Sequence, residues 1–202
     1  MGIDRYVSNP STDTSRHEPH LYVKHADHVD LLRGGVSSPG GLWADLGSGT
    51  GAFTLALAEL IGPDGMIFSV DLDRSALGEQ EKKLRSRFPG LKVQYQVADF
   101  TRPLGLLPLD GVVMANSLHF HRLKYPIVRA VHGLLRTGGR LILVEYNVDR
   151  GNPWVPFPIS YAAWEELAVR AGFVSTRRVG TKPSRFLREI YSAVSLAAPR
   201  DE

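Results

Sequence analysis

Between the apolar stretch Leu42-Trp43-Ala44 and the helix-like run Ala52-Phe53-Thr54-Leu55-Ala56-Leu57-Ala58-Glu59-Leu60, the chain holds Asp45-Leu46-Gly47-Ser48-Gly49-Thr50-Gly51. A buried strand that gives way to alternate glycines and then to a helix leaves few folds open. Glycine lets the backbone take positive φ and pass close to a ligand. The helix behind the turn offers unpaired N–H groups and the positive end of its dipole. Such a corner binds a nucleotide-like cofactor, and the acid ahead of the glycines narrows which one.

Two cofactor classes use a loop of this kind. Gly47, Gly49 and Ala52 satisfy the dinucleotide spacing G-x-G-x-x-A, in which a pyrophosphate rests on the helix N-terminus. Asp45 opposes that reading, because a carboxylate at the strand end repels a pyrophosphate. It suits a cation such as an amino-acid ammonium. S-adenosylmethionine carries that ammonium, a sulfonium and an adenosine, and no phosphate. The heptapeptide resembles the first motif of the class I S-adenosylmethionine-dependent methyltransferases, acid-x-Gly-x-Gly-x-Gly, at every position from Asp45 to Gly51.

The rest of the chain alternates strands and helices. Strands are expected at about 42–46, 66–71, 91–97, 110–115 and 140–145, and two more at 173–180 and 189–197. Helices are expected at 21–33, about 51–61, 75–87, 124–136 and 161–171, with Gly34-Gly35, Gly138-Gly139 and Gly172 as stops. Alternation of this kind argues for a doubly wound, mostly parallel α/β sheet. The resemblance adds seven strands with the last antiparallel. At 202 residues one domain is expected: residues 1–19 as a mobile arm, 20–40 as a helical lid and 41–198 as the core. No apolar run is long enough to span a bilayer, and no apolar signal segment follows Met1, so a cytoplasmic location is expected.

In a doubly wound sheet the ligand lies outside the carboxyl ends of the strands. The residues just past each strand are therefore the candidates. Gly47, Ser48, Gly49 and Gly51 form the cofactor loop, with Asp45 toward the ammonium. Asp71, 20 positions after Gly51, can accept from ribose hydroxyls, a role shared by NAD and S-adenosylmethionine sites. Leu72 would meet the adenine face. By resemblance, Asp99 would accept from the adenine amino group, with Phe100 beside the ring; the alternative is an Asp capping the turn into Thr101-Arg102-Pro103. Asn116-Ser117-Leu118-His119 resembles the segment of small-molecule methyltransferases that lines the methyl-donor region. Asn116 is assigned to the cofactor and His119 to catalysis, as base or orienting group.

Acceptor-binding candidates are His121, Glu145, Tyr146, Trp154 and Phe157, the last two in a Pro-stiffened aromatic loop. In an extended loop His119 and His121 would point the same way. No carboxylate lies close to them in sequence, and no metal is assigned. The N-terminal histidines His17, His20, His25 and His28 read as a solvated face or part of the lid.

Composition removes several mechanisms. With no cysteine, the chain has no disulfide, no thiolate metal site and no Cys nucleophile. The Asn/Asp-Pro-Pro-aromatic run of nucleic-acid amino-group methylation is absent. Net charge is only +3, with basic stretches at Arg177, Arg178, Lys182, Arg185 and Arg188 and at Lys82, Lys83, Arg85 and Arg87. Nucleic-acid binding is therefore not favoured. The reading is an S-adenosylmethionine-dependent transfer of methyl to an O, N or C atom of a small molecule. Alternatives are an RNA or protein methyltransferase using the basic face, a non-catalytic cofactor-binding protein, and an NAD(P) oxidoreductase. The last lacks a Tyr-x-x-x-Lys pair.

Overall fold

The computed structural model describes residues 24–106, 108–184 and 186–199. The expected arm at 1–19, the first residues of the expected helix at 21–33, Arg185 and residues 200–202 lie outside the described residues, as do His17 and His20. In chain order the elements are α1 (His25–Arg33), β1 (Gly41–Leu46), α2 (Ala52–Ile61), β2 (Gly65–Asp71), α3 (Arg74–Arg87), β3 (Lys92–Val97) and β4 (Leu109–Ala115). Then come a 3-10 turn (Leu118–Phe120), α4 (Tyr125–Leu134), β5 (Leu135–Tyr146), α5 (Tyr161–Arg170), β6 (Phe173–Pro183) and β7 (Glu189–Ala197).

The strands form one seven-stranded sheet in the order β3-β2-β1-β4-β5-β7-β6. The pairings among β1 to β5 are parallel, and β7 runs antiparallel to both β5 and β6. The order reverses between β1 and β4, so a crevice opens at their carboxyl ends.

Side-chain alternation along the strands sorts the core into two layers. Leu141 and Leu143 of β5 join Met114, Val131 and Trp164 under α4 and α5. Ile142 and Val144 join Trp43, Phe53, Leu57 and Leu84 under α1, α2 and α3. On β1, Trp43 faces the α2 side, and Asp45, two residues on, shares that face. Trp43 lies across its register partner Gly111, where any Cβ would overlap the indole.

Helix ends follow local chemistry. Asp73 caps α3 by accepting from Ser75 N–H at 2.8 Å and Ala76 N–H at 3.1 Å, and Ser160 caps α5 through Ala163 N–H at 3.3 Å. One expected boundary moves. The helix expected to run to 136 and stop at Gly138-Gly139 ends at Leu134, and β5 begins at Leu135. Leu135 is buried and pairs with Leu109, so sheet pairing takes the chain before the glycines; these fall inside β5, where the register slips. Helix α1 buries Val29, Leu31 and Leu32 against α2 and the β6–β7 side of the sheet, and Lys182 of β6 pairs with its Asp27 and Asp30 at 2.8 and 3.0 Å.

Candidate active site at the carboxyl ends of β1, β2, β4 and β5

The glycine loop leaves β1 with φ of 77° at Gly47, 53° at Gly49 and 86° at Gly51. All three values are left-handed, the region glycine enters without strain. Gly47 and Ser48 N–H groups donate to Val70 O of β2 at 2.8 and 3.1 Å, which ties the loop to its neighbour strand. Asp71, at the end of β2, accepts from Gly49 N–H at 2.7 Å through Oδ2 and from Asp73 N–H at 2.9 Å through Oδ1. It braces the loop and keeps lone pairs for a further donor. Leu72, next to it, is 70% exposed, an apolar surface at the mouth of the crevice.

Asp45 is placed differently from the expectation of a free anion facing an ammonium. It is 1% exposed and turned under the loop, where its Oδ2 accepts from Thr54 Oγ1 of α2 at 2.6 Å. Strand parity is the reason, since position 45 shares the α2 face with Trp43. Burial pushes its carboxyl up to about 7, with the Thr54 hydrogen bond opposing and the nearby Asp71 adding to the rise.

On the far side of the loop, Asn116 follows β4 with φ of 53°, rare for a residue with a side chain. Its Oδ1 and the Oγ of Ser117 are buried without a hydrogen-bond partner. Ser117 stands so near Gly47 that a Cβ there would come within 2.5 Å of Ser117 Cβ and 3.2 Å of Phe100 Cε1. Unmet polar atoms beside a loop of positive-φ glycines fit a polar ligand, and the residues present fit the amino-acid part of S-adenosylmethionine. Asp99 takes the turn-capping arrangement: its Oδ1 accepts from Thr101 N–H at 2.9 Å and Thr101 Oγ1 at 2.7 Å, bonds that hold its carboxyl below the usual range. Its other oxygen remains for a ligand. Phe100 meets the His121 ring edge-on at 5.2 Å.

His119 and His121 do not sit in an extended loop. Leu118–Phe120 is a 3-10 turn, and the two rings have different surroundings. His121 is partly exposed against Phe100, and burial holds its pKa below the ordinary value, with Asp99 opposing. His119 is buried, and its Nδ1 lies 2.9 Å from Glu145 Oε2 at the end of β5. Glu145 is fully buried. It also accepts from His119 N–H at 3.0 Å and Tyr146 N–H at 3.3 Å. Three N–H groups thus converge on one carboxylate and orient the ring. With Nδ1–H donated to Glu145, Nε2 holds the free lone pair. The Tyr146 ring lies 5.7 Å from His119, and burial raises its phenol pKa, with Glu145 adding to the rise.

The sequence named both His119 and Glu145 but not their union. The signal that could have joined them is adjacency: β4 and β5 are parallel neighbours, so residues just past their ends share one rim. The Pro-rich loop is fastened to the same place, with Phe157 N–H donating to His119 O at 2.9 Å. Phe157 is half-exposed near Lys124, whose Nζ stands 5.9 Å over its ring. Trp154 is 71% exposed, and Val155 and Ile159 are the residues that anchor this loop in the core. Among the described residues no group of three or more His, Asp or Glu could hold a metal ion. The remaining N-terminal histidines have other partners: His25 pairs with Glu59 at 2.8 Å and His28 packs on Phe53 at 4.5 Å.

A family model described as a methyltransferase domain matches residues 44–141. The ubiquinone/menaquinone biosynthesis C-methyltransferase UbiE of Ectopseudomonas mendocina is 30% identical over 116 residues, which is 57% of this chain and 45% of that protein. The chain thus spans less than half the length of the first curated relatives it matches. A Burkholderia thailandensis 1,6-didemethyltoxoflavin-N1-methyltransferase, solved with 1,6-didemethyltoxoflavin and S-adenosylhomocysteine, aligns with a TM-score of 0.68 at 18% identity, over 87% of this chain and 78% of that one. The CurJ carbon methyltransferase aligns at 0.66 and 20% identity, over 83% of this chain and 51% of that one. At these identities the structural likeness carries the fold.

Proposed function

For a chain that belongs to the class I S-adenosylmethionine-dependent methyltransferases, we propose transfer of a methyl group to an acidic carbon of a small-molecule acceptor, with His119 as the general base. One observation carries this reading: the buried His119–Glu145 pair, 2.9 Å apart at the adjoining ends of β4 and β5. An acceptor atom with an available lone pair needs no base. A carbon acceptor does, because its electron pair is tied up in a C–H bond until a proton leaves.

The residues divide the work. The glycine loop, Asp71 and the unpartnered Asn116 and Ser117 oxygens hold the cofactor, which supplies a methyl carbon activated by a sulfonium. His119 Nε2 takes the proton from the acceptor carbon, and Glu145 stabilises the imidazolium that forms. The electron pair left on the acceptor, delocalised as an enolate, would then face the sulfonium-activated methyl carbon that the bound cofactor would supply, with the neutral thioether as the leaving group. The proton then passes from His119 to solvent. Lys124, half-buried, with its pKa lowered by burial and Glu145 opposing, puts positive charge near the developing anion.

The RNA-binding alternative gains nothing from the basic strand. Arg177 donates to Gly34 O at 2.8 Å, Arg178 stacks over Tyr161 at 5.0 Å, and Lys182 pairs with Asp27 and Asp30.

The test is a labelled-methyl screen over enolisable 1,3-dicarbonyl compounds, phenols and amines, with wild type and His119→Gln. A C-methylated product whose rate falls about 100-fold or more in the variant is expected. Methylation confined to amines, unaffected by the substitution, would overturn the reading.

A further inference from the structure

The crevice loop rests on a second buried polar system that the chemistry above does not use. Gln80 of α3 is fully buried, an unusual place for an amide side chain. Ser69 Oγ of β2 donates to Gln80 Oε1 at 2.5 Å. That fixes the other oxygen of the neighbouring pair: Ser48 Oγ of the glycine loop, 2.7 Å from Ser69 Oγ, must be the donor to it. From its other end, Gln80 Nε2 donates to Thr54 Oγ1 at 2.9 Å, and Thr54 donates onward to Asp45 Oδ2 at 2.6 Å. The same Nε2 lies 3.5 Å from Gly49 O. Each group has one direction open to it. Two donor chains start at Ser48 and at Gln80 and end on Gln80 Oε1 and on Asp45.

Gln80 also shapes the loop by contact. A Cβ at Gly51 would overlap the Gln80 side chain, with Nε2 at 2.8 Å and Cδ at 2.9 Å. The third glycine of the loop is therefore demanded twice, by its φ of 86° and by the amide lying against it. Strand parity assembles the group: Asp45 and Ser69 face the α2–α3 layer, as Trp43 and Ile67 do, and the helices bring Thr54 and Gln80 to meet them.

We infer that Gln80 is a positioning residue for the cofactor, locking the Ser48–Gly51 loop between β2 and α2 through the Ser69 and Thr54 bonds. It touches no ligand itself, and this role rests on the cofactor reading above. Its loss selectively weakens cofactor binding. Half-satisfied buried networks are costly, so removing the amide takes a partner from Ser69 Oγ, Thr54 Oγ1 and Gly49 O and lets the loop move.

The experiment is calorimetric titration of the full chain with S-adenosylhomocysteine at pH 6 and pH 8, alongside KM for cofactor and acceptor, for wild type, Gln80→Leu and Gln80→Glu. Gln80→Leu is expected to bind about tenfold more weakly or worse at both pH values, with KM for the acceptor unchanged. Gln80→Glu keeps the acceptor for Ser69 but donates to Thr54 only when protonated. It is expected to bind poorly at pH 8 and, relative to wild type, to recover at pH 6. That recovery is a signature packing alone does not give, and it is readable even where the Leu variant fails to fold. Wild-type affinity in both variants at both pH values overturns the inference while leaving the cofactor reading intact. No binding by wild type overturns the cofactor reading and the inference together.

Discussion

Replacing Asp45 by Asn isolates what the buried carboxylate does to the protein. Asp45 is 1% exposed and its carboxyl is pushed from 3.8 up to about 7, mainly by burial. The folded protein therefore keeps a proton that the unfolded chain has already released. Between pH 4 and pH 7 the unfolded state binds fewer protons, so stability falls as pH rises, and the loss is complete above pH 7. A rise from 3.8 to about 7 is worth about 4 kcal/mol across that window, at about 1.4 kcal/mol per pH unit. The Asp45→Asn side chain carries no titrating proton, and its amide oxygen can still accept from Thr54. Urea unfolding of wild type and Asp45→Asn at unit steps from pH 4.5 to pH 8.5 measures the difference directly, and common titrations cancel. The expected difference curve slopes to about pH 7 in favour of the variant and is level beyond. A flat difference curve would refute the argument, because it would mean that Asp45 ionises in the folded state as it does in water.

Other substitutions test separate parts of the structure. Glu145→Gln keeps the size of the side chain but presents Nδ1–H with a weaker acceptor; kcat should fall about 100-fold with the cofactor Kd unchanged, measured by methyl-transfer kinetics and titration. Asp73→Ala removes the cap on α3 and should cost about 1 kcal/mol in urea unfolding. Gly111→Ala drives a Cβ into the Trp43 indole and should cost about 1–3 kcal/mol, with a blue-shifted or broadened tryptophan emission as the strand moves.

The strand ends were legible in the sequence because each carries its own punctuation. Alternate glycines after Leu46, an acid at Asp71 and the polar Asn116-Ser117 each mark the point where an apolar run meets the crevice. Antiparallel insertion of β7 follows only from the resemblance, since Glu189–Ala197 has no mark of direction. What the sequence hid are properties of pairing between distant segments. Asp45 reads as a ligand-facing acid until β1 is placed under α2, and Gln80 reads as an ordinary helical polar residue until α3 is laid beside β2. The end of α4 is hidden for the same reason: Leu135 leaves the helix to pair with Leu109, 26 residues earlier in the chain.

The two polar networks occupy different faces of one sheet, and that separation makes a further prediction. Asp45 and Ser69 project toward α2 and α3. Glu145 has the parity of Leu143, toward α4 and α5, and with His119 it closes the opposite side of the crevice. Hydrogen bonds link each group internally, and none of the bonds described joins one group to the other. Their effects on kcat/KM should therefore multiply: the loss in a Gln80→Leu/Glu145→Gln double variant should equal the product of the single losses, to within about 0.5 kcal/mol. Gly47 of the loop packs against Ser117, which lies two residues before His119. A coupling above about 1 kcal/mol in the double-mutant cycle would refute independence and place the communication at that contact. Additivity would mean that cofactor grip and base strength are set separately, one by the loop and its buried amide, the other by the paired ends of β4 and β5.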